Sequence, residues 1–259
     1  MKFNIARDAR PQVHTLLAAT ALSVVLWYIP YAEILTYPFR IFVTFIHEGG
    51  HALAAMLTGN SVQSLAVSLD GSGQVYSTAG GLFSRLFVSS AGYLGAMSFG
   101  ALLLWLVRHR VKARAVLAGS AALILLLTAL FGFFMPVWNW SLPGLFTIVA
   151  GVAIPLGLLA AARYLSPRAA TFLVGFLAVQ CVLNAVFDLR NVLFMSALSD
   201  AHTDAVNMAQ ATGIHQIVWA LFWMVIAFVI LSLALRAYAV SKDRPSQPDL
   251  PFEDSPLEV

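Results

Sequence analysis

Long apolar runs separated by short polar segments dominate the pattern of hydrophobic positions along this chain. Seven of these runs have the length, about 20 residues, that an α-helix needs to cross a bilayer. They fall at residues 13–31, 39–58, 82–107, 115–135, 143–162, 169–194 and 215–238. Since no segment between them is long enough to fold as a soluble domain, we expect an all-α polytopic membrane protein with six to seven transmembrane helices.

Two segments depart from this pattern. Residues 61–78 alternate apolar and polar positions and contain Asp70-Gly71, which predicts a short β-hairpin with an Asp-Gly turn directly after the second run. Residues 241–259 combine four prolines with acidic side chains and predict a disordered tail. Residues 1–240 are therefore expected to form a single membrane domain.

The composition agrees with a membrane protein and excludes several other classes. The chain has 259 residues, of which 60% are hydrophobic and 10% are charged, whereas soluble domains carry about 25% charged residues. This composition excludes an ordinary soluble enzyme, a disordered chain and a disulfide scaffold. The single cysteine, Cys181, also makes an intrachain disulfide impossible. The net charge of +3 is assigned to cytoplasmic loops, and no nucleic-acid partner is expected.

The basic residues also predict an orientation. Three basic clusters follow alternate runs, at residues 108–114, 163–168 and 236–244. The positive-inside rule places them in the cytoplasm, so we expect a protein of the bacterial inner membrane with a cytoplasmic C-terminus. The basic N-terminus should share that side, yet three full spans before residue 108 would place it opposite. Either an early segment is re-entrant or the N-terminal signal is misleading.

An HExxH motif, His47-Glu48-Gly49-Gly50-His51, lies inside the second apolar run. On a helix, residues four apart share a face, so the two imidazoles can converge on one zinc ion. Glu48 then lies where it can accept a proton from a zinc-bound water and pass it to a leaving amine. Three ionisable groups within five residues are costly at membrane depth, which indicates a functional site.

A catalytic zinc ion usually has three protein ligands, so a third must come from elsewhere. The sixth run carries a polar stripe of Gln180, Asn184, Asp188 and Asn191. We predict Asp188, the only carboxylate of this stripe, as the third ligand. Asn184, one turn away, is expected to orient it or to hold a substrate carbonyl.

Two other carboxylates remain open as the third ligand. Asp204 lies between the last two runs, in a segment that ends at Gly213 and is expected either to form a helix capped by that glycine or to close over the site. Asp70 is nearest to the motif in sequence, but its position in an Asp-Gly turn already explains why an aspartate is present there.

An HExxH inside a hydrophobic segment of a small polytopic chain resembles the site-2 protease family of intramembrane zinc metallopeptidases, in its short B-like branch. The segments that carry the resemblance are FIHEGGHALAAMLTG, the DGSG hairpin, SSAGYLGA, NAVFDLRN and TDAVNMAQATGI. It implies His47 and His51 as zinc ligands, Glu48 as general base and a membrane aspartate as third ligand. It also implies that the hairpin helps to hold a substrate in extended form.

The sequence thus predicts a zinc metalloendopeptidase that hydrolyses peptide bonds in or near transmembrane segments. Its partners would be the lipid bilayer and membrane-protein substrates, whose helices must unwind locally before attack. The alternative is a non-catalytic metal-binding regulator or a transporter that uses the same ligands. A transporter should show a polar path across several helices, and the polarity here falls mainly on two.

Overall fold

A computed structural model describes residues 10–78, 80–198 and 203–239. Within these ranges each predicted apolar run corresponds to a helical segment, which confirms the all-α class. The helices are α1 (Arg10–Tyr28), α2 (Glu33–Leu57), α3 (Leu82–Arg108), α4 (Ala113–Leu127), α5 (Met135–Trp138), α6 (Leu145–Tyr164), α7 (Pro167–Leu198), α8 (Asp204–Thr212) and α9 (Gln216–Ala239). A π-helical segment, Thr128–Phe134, joins α4 to α5. The predicted disordered tail at 241–259 lies outside the described residues.

Five helical stretches in the described part are long and apolar enough to cross a membrane. They are α3, the continuous stretch Ala113–Trp138, α6, α7 and the segment Gln216–Ala237 of α9. In α1 the apolar stretch is shorter, Leu16–Leu26. α2 is not one of these five stretches. It carries Arg40, Glu48 and both motif histidines. The chain is therefore a polytopic membrane protein whose site helix is more polar than the helices around it.

The predicted hairpin is present. Strand β1 (Val62–Val67) pairs antiparallel with β2 (Gly73–Ser77). In the turn, Gly71 adopts φ +83°, which favours glycine, and the Ser72 amide donates to Asp70 Oδ1 at 2.9 Å. Hydrogen bonds from Ser72 hold the pKa of the Asp70 carboxyl below its usual value. Asp70 therefore has the turn-forming role that its sequence context indicated.

Side chains of α2 hold the hairpin through hydrogen bonds to three consecutive backbone carbonyls of its turn. Three side chains on one face of α2 donate to the carbonyl oxygens of residues 69–71. The donors are Tyr37 to Leu69 (2.6 Å), Arg40 to Asp70, and Thr44 to Gly71 (2.8 Å). On the other side, the Val67 amide donates to Thr147 Oγ1 of α6 at 2.9 Å. The hairpin is thus fixed between α2 and α6.

Small residues bring α3 close to its neighbours. Gly50 of α2 packs against the Ala91 carbonyl of α3, where a Cβ atom would overlap with that oxygen. Two turns further along α3, Gly100 faces α7, and a Cβ there would lie 3.0 Å from the Ala178 carbonyl oxygen. The small face of α3 therefore makes close contacts with two different helices.

Candidate metal centre and active-site cavity

His47 and His51 converge as their helical spacing predicts. Their Nε2 atoms lie 3.0 Å apart. The other ring nitrogen of His51, Nδ1, is 2.7 Å from the Val88 carbonyl oxygen of α3. That carbonyl can only accept a hydrogen bond, so it fixes the proton on Nδ1 and leaves the Nε2 lone pair available to a metal.

Asp204, at the start of α8, is the carboxylate that lies beside the two histidines. Its Oδ2 is 3.4 Å from His51 Nε2 and 4.0 Å from His47 Nε2. Thr203 caps α8, its hydroxyl accepting a hydrogen bond from the Val206 amide at 3.3 Å, and Gly213 ends the helix at φ +74°. The expectation of a short helix capped by Gly213 is correct, and this helix places Asp204 at the site.

Asp188, our expected third ligand, lies on a different part of the same cavity. In the described part of the chain, the residues whose possible ligand atoms all lie within 4.8 Å of one another are His47, His51 and Asp204. Asp188 is half-buried on α7 and lines the cavity without joining this group. Asp70, the other alternative, is in the hairpin turn and is also outside the group.

Tyr93 supports the metal-binding group from α3. Its hydroxyl hydrogen-bonds to the Asp204 carboxylate, and its ring packs edge-on against His47 with centroids 4.6 Å apart. Burial raises the pKa of Asp204, but the facing histidines and Tyr93 outweigh burial and hold this pKa below its ordinary value. Asp204 is thus kept in the ionised form that a metal ligand needs.

The donor set fits a zinc ion. Two imidazole nitrogens and one carboxylate oxygen are typical zinc ligands, and a tetrahedral ion with bonds of about 2.0–2.2 Å places its ligand atoms roughly 3.3–3.6 Å apart. The three observed separations, 3.0, 3.4 and 4.0 Å, bracket that value. Three protein ligands leave one position open, as in catalytic rather than structural sites.

Glu48 lies between the metal-binding group and the hairpin. It is buried, with 5% of its surface exposed, and Gly73 of β2 packs directly against its carboxylate. A Cβ atom at residue 73 would lie 2.5 Å from Glu48 Oε1. Only a glycine at this position lets the strand approach the carboxylate so closely.

These residues open into one cavity of about 880 Å³. α2 and Tyr93 form its floor with the histidines and Glu48, and β2 forms one wall along its whole length. Asn184, Asp188 and Asn191 of α7 line the cavity as well; Asn184 and Asp188 are half-buried, whereas Asn191 is exposed. Gln180 instead donates to Ser23 of α1 at 3.4 Å and belongs to helix packing.

Sequence reasoning missed the residues that act on the site through tertiary contacts. Tyr93, the Val88 carbonyl, Gly73 and Gly92 were not assigned a role at the site. A Cβ atom at residue 92 would overlap with both motif imidazoles. Tyr93 lies in an otherwise small-residue segment, SSAGYLGA. A large side chain with a hydroxyl group on a face of small residues could have indicated that Tyr93 contacts the site.

The structure thus combines a polytopic membrane fold with a partly buried His-His-Asp group that could hold a metal ion beside a glutamate. The family model described as Peptidase M50B-like matches residues 15–234. The chain therefore belongs to this family, within the site-2 proteases, as the sequence resemblance indicated. No curated protein and no solved structure matches the chain.

Proposed function

We propose that this protein is an intramembrane zinc endopeptidase that cleaves membrane proteins in or near their transmembrane segments. The observation that carries the proposal is the convergence of His47, His51 and Asp204 next to Glu48, inside a cavity lined by α2, α3, α7, α8 and the hairpin. Membership of the M50B-like peptidases supports the same conclusion.

His47, His51 and Asp204 would hold the zinc ion, so we propose Asp204 as the third ligand. When bound, zinc would polarise the substrate carbonyl and lower the pKa of water at the open position. Glu48 would accept the proton of the attacking water and deliver it to the leaving amine. Val88 would fix the His51 tautomer, and Tyr93 would hold Asp204 in place.

The hairpin is well placed to present an extended substrate. In the described residues β2 pairs only with β1, so its second edge is open along the cavity wall. An unwound substrate segment can add to this edge through main-chain hydrogen bonds. Asn184, on another part of the wall, would bind a polar group of the same segment.

The test compares wild-type protein with Glu48→Gln, both purified in detergent and reconstituted in liposomes with a transmembrane substrate. We expect both to bind zinc equally, and cleavage by the variant to fall by about 10²–10⁴-fold because the general base is lost. Zinc content and product formation are measured on the same samples. A fully active Glu48→Gln protein would overturn the role of Glu48, and zinc flux into the liposomes without proteolysis would indicate a transporter.

A further inference from the structure

The α7 part of the cavity wall carries polar groups that the proposed reaction does not use. Asp188 makes no hydrogen bond and no ion pair within 4 Å to the described residues, although it lies in a half-buried position on the cavity. Carboxyl groups that are partly withdrawn from water are normally paired, because desolvation of an unpaired charge is costly. Its partner is therefore expected to arrive with the substrate.

The neighbouring Asn184, like Asp188, has a side-chain oxygen that can accept a hydrogen bond from a donor group. Its side-chain nitrogen donates to the Gln180 carbonyl oxygen of its own helix at 2.8 Å. Its side-chain oxygen, which can only accept hydrogen bonds, makes none to the described residues, and Asn184 lines the cavity. Asn184 and Asp188, one helical turn apart, thus present acceptors to the same space.

The other charged groups on the cavity are already engaged. Arg40 of α2 donates to the Asp70 carbonyl in the hairpin turn and lies more than 4 Å from Asp188. Asp204 faces the histidines and Tyr93, and Asp70 accepts from Ser72. Glu48 lies against Gly73. None of these groups forms an ion pair with Asp188 within 4 Å, although the charge of Arg40 acts on this carboxyl group at longer range.

We propose that Asp188, together with Asn184, forms a subsite for a lysine or arginine side chain of the substrate close to the scissile bond. This rests on the proposed peptidase function and specifies its substrate class. Lysine and arginine are common at the ends of transmembrane segments. A substrate cation that enters a low-dielectric cavity needs a carboxylate partner, and Asp188 supplies it.

The test uses three transmembrane peptides that are identical except for Lys, Gln or Glu at one position, scanned across the residues near the cleavage site. Wild-type protein should favour Lys over Glu in kcat/KM by at least about 10-fold at the best position. In Asp188→Asn this ratio should approach one, and in Asp188→Lys it should reverse to favour Glu. Glu33→Gln, an exposed charge loss away from the cavity, serves as the matched control and should keep the wild-type ratio.

A second measurement separates the subsite from the proposed reaction. The Kd values of the same three peptides are measured on Glu48→Gln protein, in which cleavage is suppressed but the cavity is retained. If wild-type protein cleaves no peptide, the proposed function fails, while the Kd ratio still tests the subsite. A Lys-to-Glu ratio that is the same with Asp188 and with Asp188→Asn, in proteins of equal zinc content, would overturn the subsite.

Discussion

The cavity has two ends that use polar side chains in different ways. At the metal end, Asp204 faces two histidines, His51 is bonded to Val88, and Tyr93 is bonded to Asp204. At the α7 end, Asp188 lines the same cavity without a direct partner among the described residues. Both ends carry a carboxyl group from a helix near the site, yet their surroundings differ completely.

The difference shows that membrane depth alone does not assign a role to a buried carboxyl group. A group with several protein partners is held in one geometry, which is what a metal ligand requires. A group without a partner keeps its capacity to bind and suits recognition of a ligand. Substitutions at the two ends should therefore have different effects, and the following experiments test this.

The largest effect is expected from Asp204→Asn, which removes a proposed ligand. Zinc affinity should fall by roughly 100-fold or more, since the loss of residues that merely support a ligand already costs about 10–100-fold. Asp188→Asn is the matched control and should keep wild-type zinc affinity, measured by competition with a chelator of known affinity. Loss of zinc in Asp188→Asn and not in Asp204→Asn would reverse our assignment of the two ends.

Gly73→Ala should impair catalysis while sparing the metal. The new methyl group would lie 2.5 Å from Glu48 Oε1, so the strand or the carboxylate must move, and a displacement of about 1 Å can cost about 100-fold in rate. We expect kcat to fall by that order with unchanged zinc content. Gly81→Ala places its methyl group in open space and should remain near wild type; equal loss in both variants would exclude this contact as the cause.

Tyr93→Phe tests the support of Asp204. It removes one hydroxyl that is bonded to the carboxylate, and zinc affinity should fall by about 10-fold because Asp204 loses an orienting partner. Tyr37→Phe removes a hydroxyl that binds the hairpin instead and should leave zinc affinity unchanged. The same chelator competition distinguishes the two variants, and unchanged affinity in Tyr93→Phe would remove Tyr93 from the metal end.

The smallest effect is expected from Thr44→Val, which deletes the hydrogen bond to the Gly71 carbonyl. One such bond contributes about 1 kcal/mol, so local opening of the turn should become about 5-fold more frequent. Hydrogen–deuterium exchange of the amides of residues 68–72 measures it. Thr36→Val, whose hydroxyl bonds within α2, is the control, and identical exchange in both variants would show that Thr44 does not hold the turn.

Local patterns in the sequence predicted much of the fold and half of the site. The helices follow from the length of the apolar runs, and the hairpin follows from alternation around Asp70-Gly71. His47, Glu48 and His51 lie within one helix, so their relative geometry is fixed by helical spacing. α2 begins at Glu33, six residues before its apolar run. The sequence did not indicate this earlier start, because a proline usually marks a helix boundary and Pro38 lies inside this helix.

The remaining half of the site depends on contacts between distant segments. Asp188 was expected as the ligand because it lies deep in an apolar run, whereas Asp204 lies in a polar connection between runs. In the fold α8 returns over the site and brings Asp204 to His51. The sequence left this return open as one of two possibilities, since it is set by the packing of α8 against α3 and α9.

The length of α7 has a consequence for the supply of water. Its 32 residues extend about 48 Å, whereas the hydrocarbon layer is about 30 Å thick. Tilting alone would need about 50°, beyond the usual range of roughly 0–40°. Asp188 lies about 31 Å along the axis from the first residue of α7, so a helix that starts at one boundary of the hydrocarbon layer reaches the other boundary near Asp188. Hydrolysis consumes one water per bond, and at this depth water and newly formed charged peptide ends need not cross the hydrocarbon layer.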